Sequence, residues 1–182
     1  MTESRVPKHV GIILDGNRRF AKRLMMKPWM GHEWGAGKVR KLLDWSYELG
    51  VEELTLYSFS VQNFDRPKDE FDFLMSVCRN EFDSLLLPEK QQELRERGLQ
   101  INFIGRLWMF PLNVQERMQK LMDATKEHKN YVVNFAMAYG GREEVIDAVK
   151  KLTADVSAGK VSVDAINDGR TPFFKSINSI MM

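Results

Sequence analysis

Four short apolar runs alternating with helix-period segments predict an α/β fold: a central, mostly parallel sheet flanked by helices. Residues 9–14, 54–59, 101–105 and 131–138 are rich in β-branched, aromatic and aliphatic side chains and are bounded by turn-forming residues. Between them, apolar residues recur at three- and four-residue intervals. A chain that alternates strand and helix in this way makes crossovers, and crossovers put neighbouring strands parallel.

The first run ends at Asp15-Gly16-Asn17 and is followed by Arg18, Arg19, Lys22 and Arg23. Taken alone, Asp-Gly-Asn is a turn and the basic run a solvated helix face. Val39, Leu42, Leu43 and Ser46 share one helical face, which leads into the second strand. Phe71, Leu74, Met75, Cys78, Phe82 and Leu85 mark a long amphipathic helix. Pro88 interrupts it, and Gly98 closes the polar stretch beyond, so 71–98 reads as one bent helix or as two in series. Val114, Met118, Leu121 and Met122 give the next helix; Val145, Ile146, Val149 and Leu152 give the last. The methionines on these faces read as core filling.

With 182 residues and neither repeat nor low-complexity linker, the chain reads as one domain over 1–182, large enough for a substantial core. Hydrophobic content of 43% with 29% charged residues is ordinary for a globular protein. The formal net charge is only +2, so there is no global positive field and no nucleic-acid partner is expected; any anion site must come from local clustering. The one cysteine, Cys78, excludes an internal disulfide and a cysteine zinc cluster. There is no secretory signal pattern and no apolar run of membrane-spanning length, so a cytoplasmic protein is expected.

In open α/β sheets, ligands bind beyond the carboxyl ends of the strands. There the chain places Asp15-Gly16-Asn17, then Ser60 with Asn63, Arg66 and Glu70, then Tyr139-Gly140-Gly141-Arg142. Glycines admit backbone N–H groups to phosphate oxygens, and arginine binds phosphate bidentately. A lone carboxylate in this company suits Mg²⁺, which takes few protein carboxylates and completes its shell with phosphate. Each element has a plainer reading: Arg66-Pro67 opens a helix as readily as it binds phosphate, and His32 by itself is a turn histidine. GHEWGAGKV (31–39) is not a P-loop, because five residues precede Gly37-Lys38 where four are required and Val39 replaces the metal-binding hydroxyl.

Together, HVGIILDGNRRFAKR, GHEWGAGKV, LTLYSFSVQNFDRPKDE and NFAMAYGGREEV, in this order and spacing, resemble the cis-prenyltransferases, the undecaprenyl diphosphate synthase-like enzymes. The likeness covers residues 7–168, and the RRF and KPWMGHEWGA wording resembles archaeal members. It implies condensation of isopentenyl diphosphate with an allylic prenyl diphosphate to give a polyprenyl diphosphate, a lipid-carrier precursor. The resemblance makes Asp15 the catalytic, Mg²⁺-holding aspartate, assigns Gly16, Asn17 and Arg19 to the phosphate-binding loop, and adds Arg18 and Phe20 as substrate-binding residues. His32 becomes the histidine of a Gly-His pair, and Ser60 and Asn63 assist proton removal. Phe59, Arg66 and Glu70 fall in a flexible segment over the substrate, Phe64 is a further substrate-binding residue, and Arg142 falls in a motif near the floor of the site. Strands two and four would line an apolar tunnel with Leu54, Leu56 and Ser58 and with Val133, Phe135 and Met137. The paired Asp-Asp-x-x-Asp motif of trans-prenyltransferases is not matched by Asp69-Glu70-Phe71-Asp72.

Two departures stand out. Pro28 lies where many members carry a phosphate-binding arginine, leaving Lys27 as its substitute. After Asp168-Gly169 the chain reads RTPFFKSINSIMM, so 170–182 forms an atypical tail in place of the Arg-rich isopentenyl-binding motif. The expectation is a shortened or frame-shifted product that keeps the allylic half-site. The alternative is a non-autonomous or regulatory subunit pairing with a full-length prenyltransferase. A homodimer or a heteromer with a related subunit, and peripheral membrane contact through the lipid product, complete the expected partners.

Overall fold

The computed structural model describes residues 6–166. The tail at 170–182 and any motif beyond 168 lie outside the described residues. The order of elements is β1 (His9–Ile13), α1 (Asn17–Arg23), α2 (Gly31–Glu48), β2 (Glu53–Ser60), α3 (Lys68–Leu85), α4 (Pro88–Arg97), β3 (Leu99–Ile104), α5 (Leu112–Thr125), β4 (Tyr131–Tyr139) and α6 (Gly141–Ser157). The four described strands pair in the order β1-β2-β4-β3, all parallel, as the crossover pattern requires. The 71–98 segment is two helices in series. Pro88 starts α4, where its missing N–H costs nothing, and Gly98 ends it at φ +61°.

One face of the sheet carries the core. Leu54, Leu56, Ile101, Phe103 and Val133 pack against Met75 and Phe82 of α3 and Val114, Met118 and Leu121 of α5. The opposite face carries a polar row, which is unusual for parallel strands. There His9 Nε2 meets Thr55 Oγ1 at 2.8 Å, and Asn134 donates to Glu53 at 2.7 Å. Asn102 extends this row by donating to Asn134 Oδ1 at 3.0 Å, so side-chain hydrogen bonds run across all four strands.

Helix α6 stands apart from the core. Its periodic residues form a helix as predicted, but Val145, Ile146 and Val149 are about half exposed and only Ala148 is fully buried. The amphipathic pattern identified the helix without identifying what its face meets.

Edge strand β3 is sealed by α5. Thr125, fully buried, accepts the Ile101 N–H at 3.0 Å and donates its hydroxyl to Leu121 O at 2.8 Å. Thr125→Val keeps the shape but orphans a buried N–H, so it should cost about 1–3 kcal/mol. Urea denaturation should show a lower midpoint with an unchanged slope; an unchanged midpoint would mean that water or another acceptor serves Ile101.

Candidate functional site

The parallel register delivers β1 and β2 to the same end of the sheet, and the polar residues collect there. Two residues past β1, Asp15 receives the Gly16 N–H on Oδ1 and Arg19 Nη2 on Oδ2 at 2.7 Å, with its side chain 73% exposed. Gly16 turns the chain at φ +97°, a conformation side chains resist, and so starts α1 directly behind the carboxylate. With seven residues, α1 has little macrodipole to offer; charge here comes from side chains.

The glycines of GHEWG have a packing role. A Cβ on Gly31 would lie 2.1 Å from Asn17 O, and one on Gly35 would lie 2.7 Å from Asn17 Oδ1. Spaced four apart on one face of α2, they let the first residue of α1 sit directly on the helix. His32, between them, brings Nδ1 to 3.4 Å from the Asn17 amide and Nε2 to 3.3 Å from Arg66 Nη1. Arginine only donates, so Nε2 accepts and the ring proton sits on Nδ1. The Asn17 contact then becomes a hydrogen bond with the amide oxygen turned toward the ring. Burial, reinforced by Arg66, holds the His32 pKa down at about 4. The imidazole is neutral at physiological pH.

Behind His32 lies Glu70, only 2% exposed in the first turn of α3. Its Oε1 takes a short hydrogen bond from Arg66 Nη1 and an ion pair from Arg18 Nε at 3.5 Å. A carboxylate this buried requires paired cations. Glu70 thus fixes two arginines from different elements and, through Arg66, the histidine.

Ser60 ends β2 and forms a capping box with Asn63, whose Oδ1 accepts the Ser60 N–H at 3.1 Å. Phe59 lies in β2, 4% exposed, with its ring 5.0 Å from that of Phe64 and 5.1 Å from that of Phe110. Glu70, in α3, is likewise held. Phe20 is partly exposed and leans on Trp34, ring centres 5.8 Å apart. Two predicted residues are not gathered in. Lys27 is exposed with its ammonium over the Trp29 ring at 5.4 Å, and Pro28 beside it starts a short 3₁₀ turn. Arg142 is exposed in the first turn of α6 and makes no hydrogen bond or ion pair among the described residues.

From Asp15, Asn17, His32, Asn63 and Arg66 a cavity of about 740 Å³ runs down between α2 and α3 over β2 and β4. Its wall differs from the expected one. Leu54, Leu56 and Val133 are wholly enclosed in the core, while Ser58, Phe59, Phe135 and Met137 face the space. The register shift between Tyr57 and Phe59 brings the neighbouring residues Ser58 and Phe59 both to this wall, which strict alternation forbids. Leu43, Leu74 and Cys78 supply the helical side. This apolar wall pushes the Cys78 thiol up to about 12 by desolvation. What the sequence reading missed is the far end, where Arg40 and Asp44 of α2 meet Glu81 of α3 and Arg97 of α4. Partners 41 and 53 residues apart leave no local signal.

Among the described residues no three His, Cys, Asp or Glu side chains converge as a metal cage. The single accessible carboxylate of Asp15 nonetheless fits a hard cation that draws its other oxygens from water and a diphosphate. No described helix is long and apolar enough to cross a membrane.

Comparison with known proteins agrees with this geometry. The chain is 42% identical over 167 residues to the tritrans,polycis-undecaprenyl-diphosphate synthase (geranylgeranyl-diphosphate specific) of Methanopyrus kandleri, covering 92% of this chain and 60% of that protein. It is 41% identical over 163 residues to the Pyrococcus horikoshii protein of the same name, covering 90% and 61%. The chain thus spans about 60% of the length of these curated relatives. Among solved structures, it matches lavandulyl diphosphate synthase from Lavandula x intermedia, crystallised with dimethylallyl diphosphate. The TM-score is 0.80 at 27% identity, over 96% of this chain and 70% of that one. A probable undecaprenyl diphosphate synthase from Campylobacter jejuni shares the fold, with a TM-score of 0.65 at 24% identity over 93% and 68%. The family model described as "Putative undecaprenyl diphosphate synthase" matches residues 13–180, and the chain belongs to that prenyltransferase family.

Proposed function

We propose that this chain carries a cis-prenyl elongation site that joins isopentenyl diphosphate to an allylic prenyl diphosphate and builds a polyprenyl diphosphate. The observation that carries the reading is the two-part cavity, with a cationic, hydrogen-bonding head at the strand ends and an apolar channel leading away from it. An allylic diphosphate has the same two parts. Geranylgeranyl diphosphate, in the printed names of the archaeal relatives, is the first primer to test.

The reaction breaks the allylic C–O bond, forms a carbon–carbon bond from the isopentenyl double bond and releases one proton. Arg18, Arg19, Asn17 and the Gly16 turn present donors to the diphosphate, where negative charge grows as the bond breaks. Arg66, bound to Glu70, holds its fork in place before the ligand arrives and so loses little side-chain entropy on binding. Neutral His32 adds a positioned ring without adding charge. Asn63 at the cavity wall, with Ser60 locked to it, assists removal of the proton. Phe59 lines the channel, with Phe64 packed behind its ring. Mg²⁺ on Asp15 would neutralise diphosphate charge. Hydrocarbon in the channel is held at about 0.8 kcal/mol per buried CH₂. A product that outgrows it seeks a membrane surface.

Transfer of labelled isopentenyl groups onto allylic primers tests the reaction; a chain that neither transfers nor binds an allylic diphosphate overturns it. Asp15→Ala should fold normally, because an exposed pair such as Asp15–Arg19 adds little stability. In calorimetry with geranylgeranyl diphosphate, Mg²⁺ should tighten binding to the wild type and leave Asp15→Ala unmoved. A variant that keeps the Mg²⁺ gain places the cation elsewhere.

His32 provides a pH test. The unfolded ring takes its proton near pH 6.5, whereas the folded ring resists until about pH 4. Its contribution to stability is therefore lost as pH falls across that window and changes no further below it. His32→Gln should flatten this part of the stability curve. A diphosphate beside Arg66 and Arg18 offsets their positive field, so it should raise the His32 pKa in an NMR titration. An unchanged or lower value would put the anion away from this cluster.

A further inference from the structure

We propose that the C-terminal end of α1, with the turn after it and Trp34 of α2, is a docking surface for an anionic lipid bilayer. Binding a bilayer needs no substrate, so this surface stands independently of the prenyl-transfer reading.

Large apolar side chains gather here in the open. Phe20 and Leu24 lie four residues apart on one side of α1, and the Phe20 ring meets that of Trp34. All three are about half exposed, between 42% and 55%. Met25 follows at the turn, 97% exposed. Its φ of +55° belongs to the left-handed region, where glycine sits without strain and a methionine does not. The fold gains nothing from a methionine there, because the side chain meets almost no protein.

Cations surround this apolar patch. Residues 20–38 carry four basic side chains, Lys22, Arg23, Lys27 and Lys38, against one acid, Glu33, a net of +3 in a chain whose total is +2. Lys22 and Arg23, in the last turn of α1, make no hydrogen bond or ion pair among the described residues. Lys27 holds its ammonium over the Trp29 ring. Apolar and aromatic side chains set among free lysines and arginines suit the headgroup level of a membrane: the former enter the acyl boundary while the latter meet lipid phosphates.

Other occupants fit less well. Two copies set face to face would bring Lys22 and Arg23 against like charges. Nucleic acid would use the cations and leave Leu24 and Met25 in water. Elsewhere on the chain, the exposed Val145 and Ile146 of α6 stand among Glu143, Glu144 and Asp147, which an anionic leaflet repels. The position also suits the site. Phe20 donates its N–H to Gly16 O at 2.8 Å, so the patch begins one helical turn from the Asp15-Gly16 loop. On the prenyl-transfer reading, a lipid diphosphate then enters or leaves with its headgroup at the membrane surface.

Flotation with vesicles of phosphatidylcholine alone, and of phosphatidylcholine with phosphatidylglycerol in equal parts, tests the surface. The wild type should float with the mixed vesicles, far less with phosphatidylcholine alone, and less as salt is raised. Lys22→Gln with Arg23→Gln should weaken binding to mixed vesicles on the order of 25-fold, at about fivefold per charge. Leu24→Ser with Met25→Ser should weaken it about tenfold and leave the calorimetric affinity for geranylgeranyl diphosphate unchanged. Met25→Gly serves if that double variant does not fold: glycine suits the backbone, so it should melt no lower than the wild type and still bind vesicles severalfold less. A wild type that ignores mixed vesicles overturns the proposal, as does binding that Met25→Gly leaves unchanged. A shift in the oligomeric state of the vesicle-free protein on Met25→Gly assigns the patch to a second copy and overturns it too. So does a short RNA that displaces the vesicles and binds Met25→Gly as tightly as the wild type. Vesicle binding without any affinity for an allylic diphosphate removes the prenyl-transfer reading and leaves the docking surface standing.

Discussion

A buried carboxylate organises this molecule's polar end. Glu70 sits in the first turn of α3 with almost no exposure, and the cost of holding a charge there is met only if cations come to it. Arg18 arrives from α1 and Arg66 from the loop after β2; Arg66 in turn fixes His32 on α2. Four separately folded pieces are thereby tied to one oxygen-bearing group. The cationic surface of this polar end is arranged by an anion behind it.

The two halves of the cavity follow from one topological fact. Parallel strands send their carboxyl ends, with turn residues and charges, to one side, while helices descending from that side cover the apolar sheet face. A polar head and an apolar channel are thus built from the same crossovers. The bulge after Tyr57 refines the channel by bringing Ser58 and Phe59 to the wall together.

The strands, the helix break at Pro88 and the Asp15 turn were legible because each is a local signal of periodicity, proline or turn chemistry. The gathering of Asp15, Asn17, His32, Asn63 and Arg66 was legible through motif resemblance, since their separation along the chain gives no physical clue. Three features were not legible. The bulge breaks alternation without a glycine or proline to announce it. The exposed face of α6 has the same pattern as a buried one. The ion pairs at the channel's far end join residues whose spacing carries no information until the fold is known.

The contact between Gly31, Gly35 and Asn17 has a mechanical consequence. Gly31 meets the Asn17 carbonyl and Gly35 the Asn17 side chain with no Cβ of their own between, so the start of α1 sits directly on the head of α2. Helix α2 is 18 residues long, about 27 Å, and its first turns are seated on Asn17. The line along which α2 carries Arg40 and Asp44 away from the polar head is therefore set by two missing methyl groups.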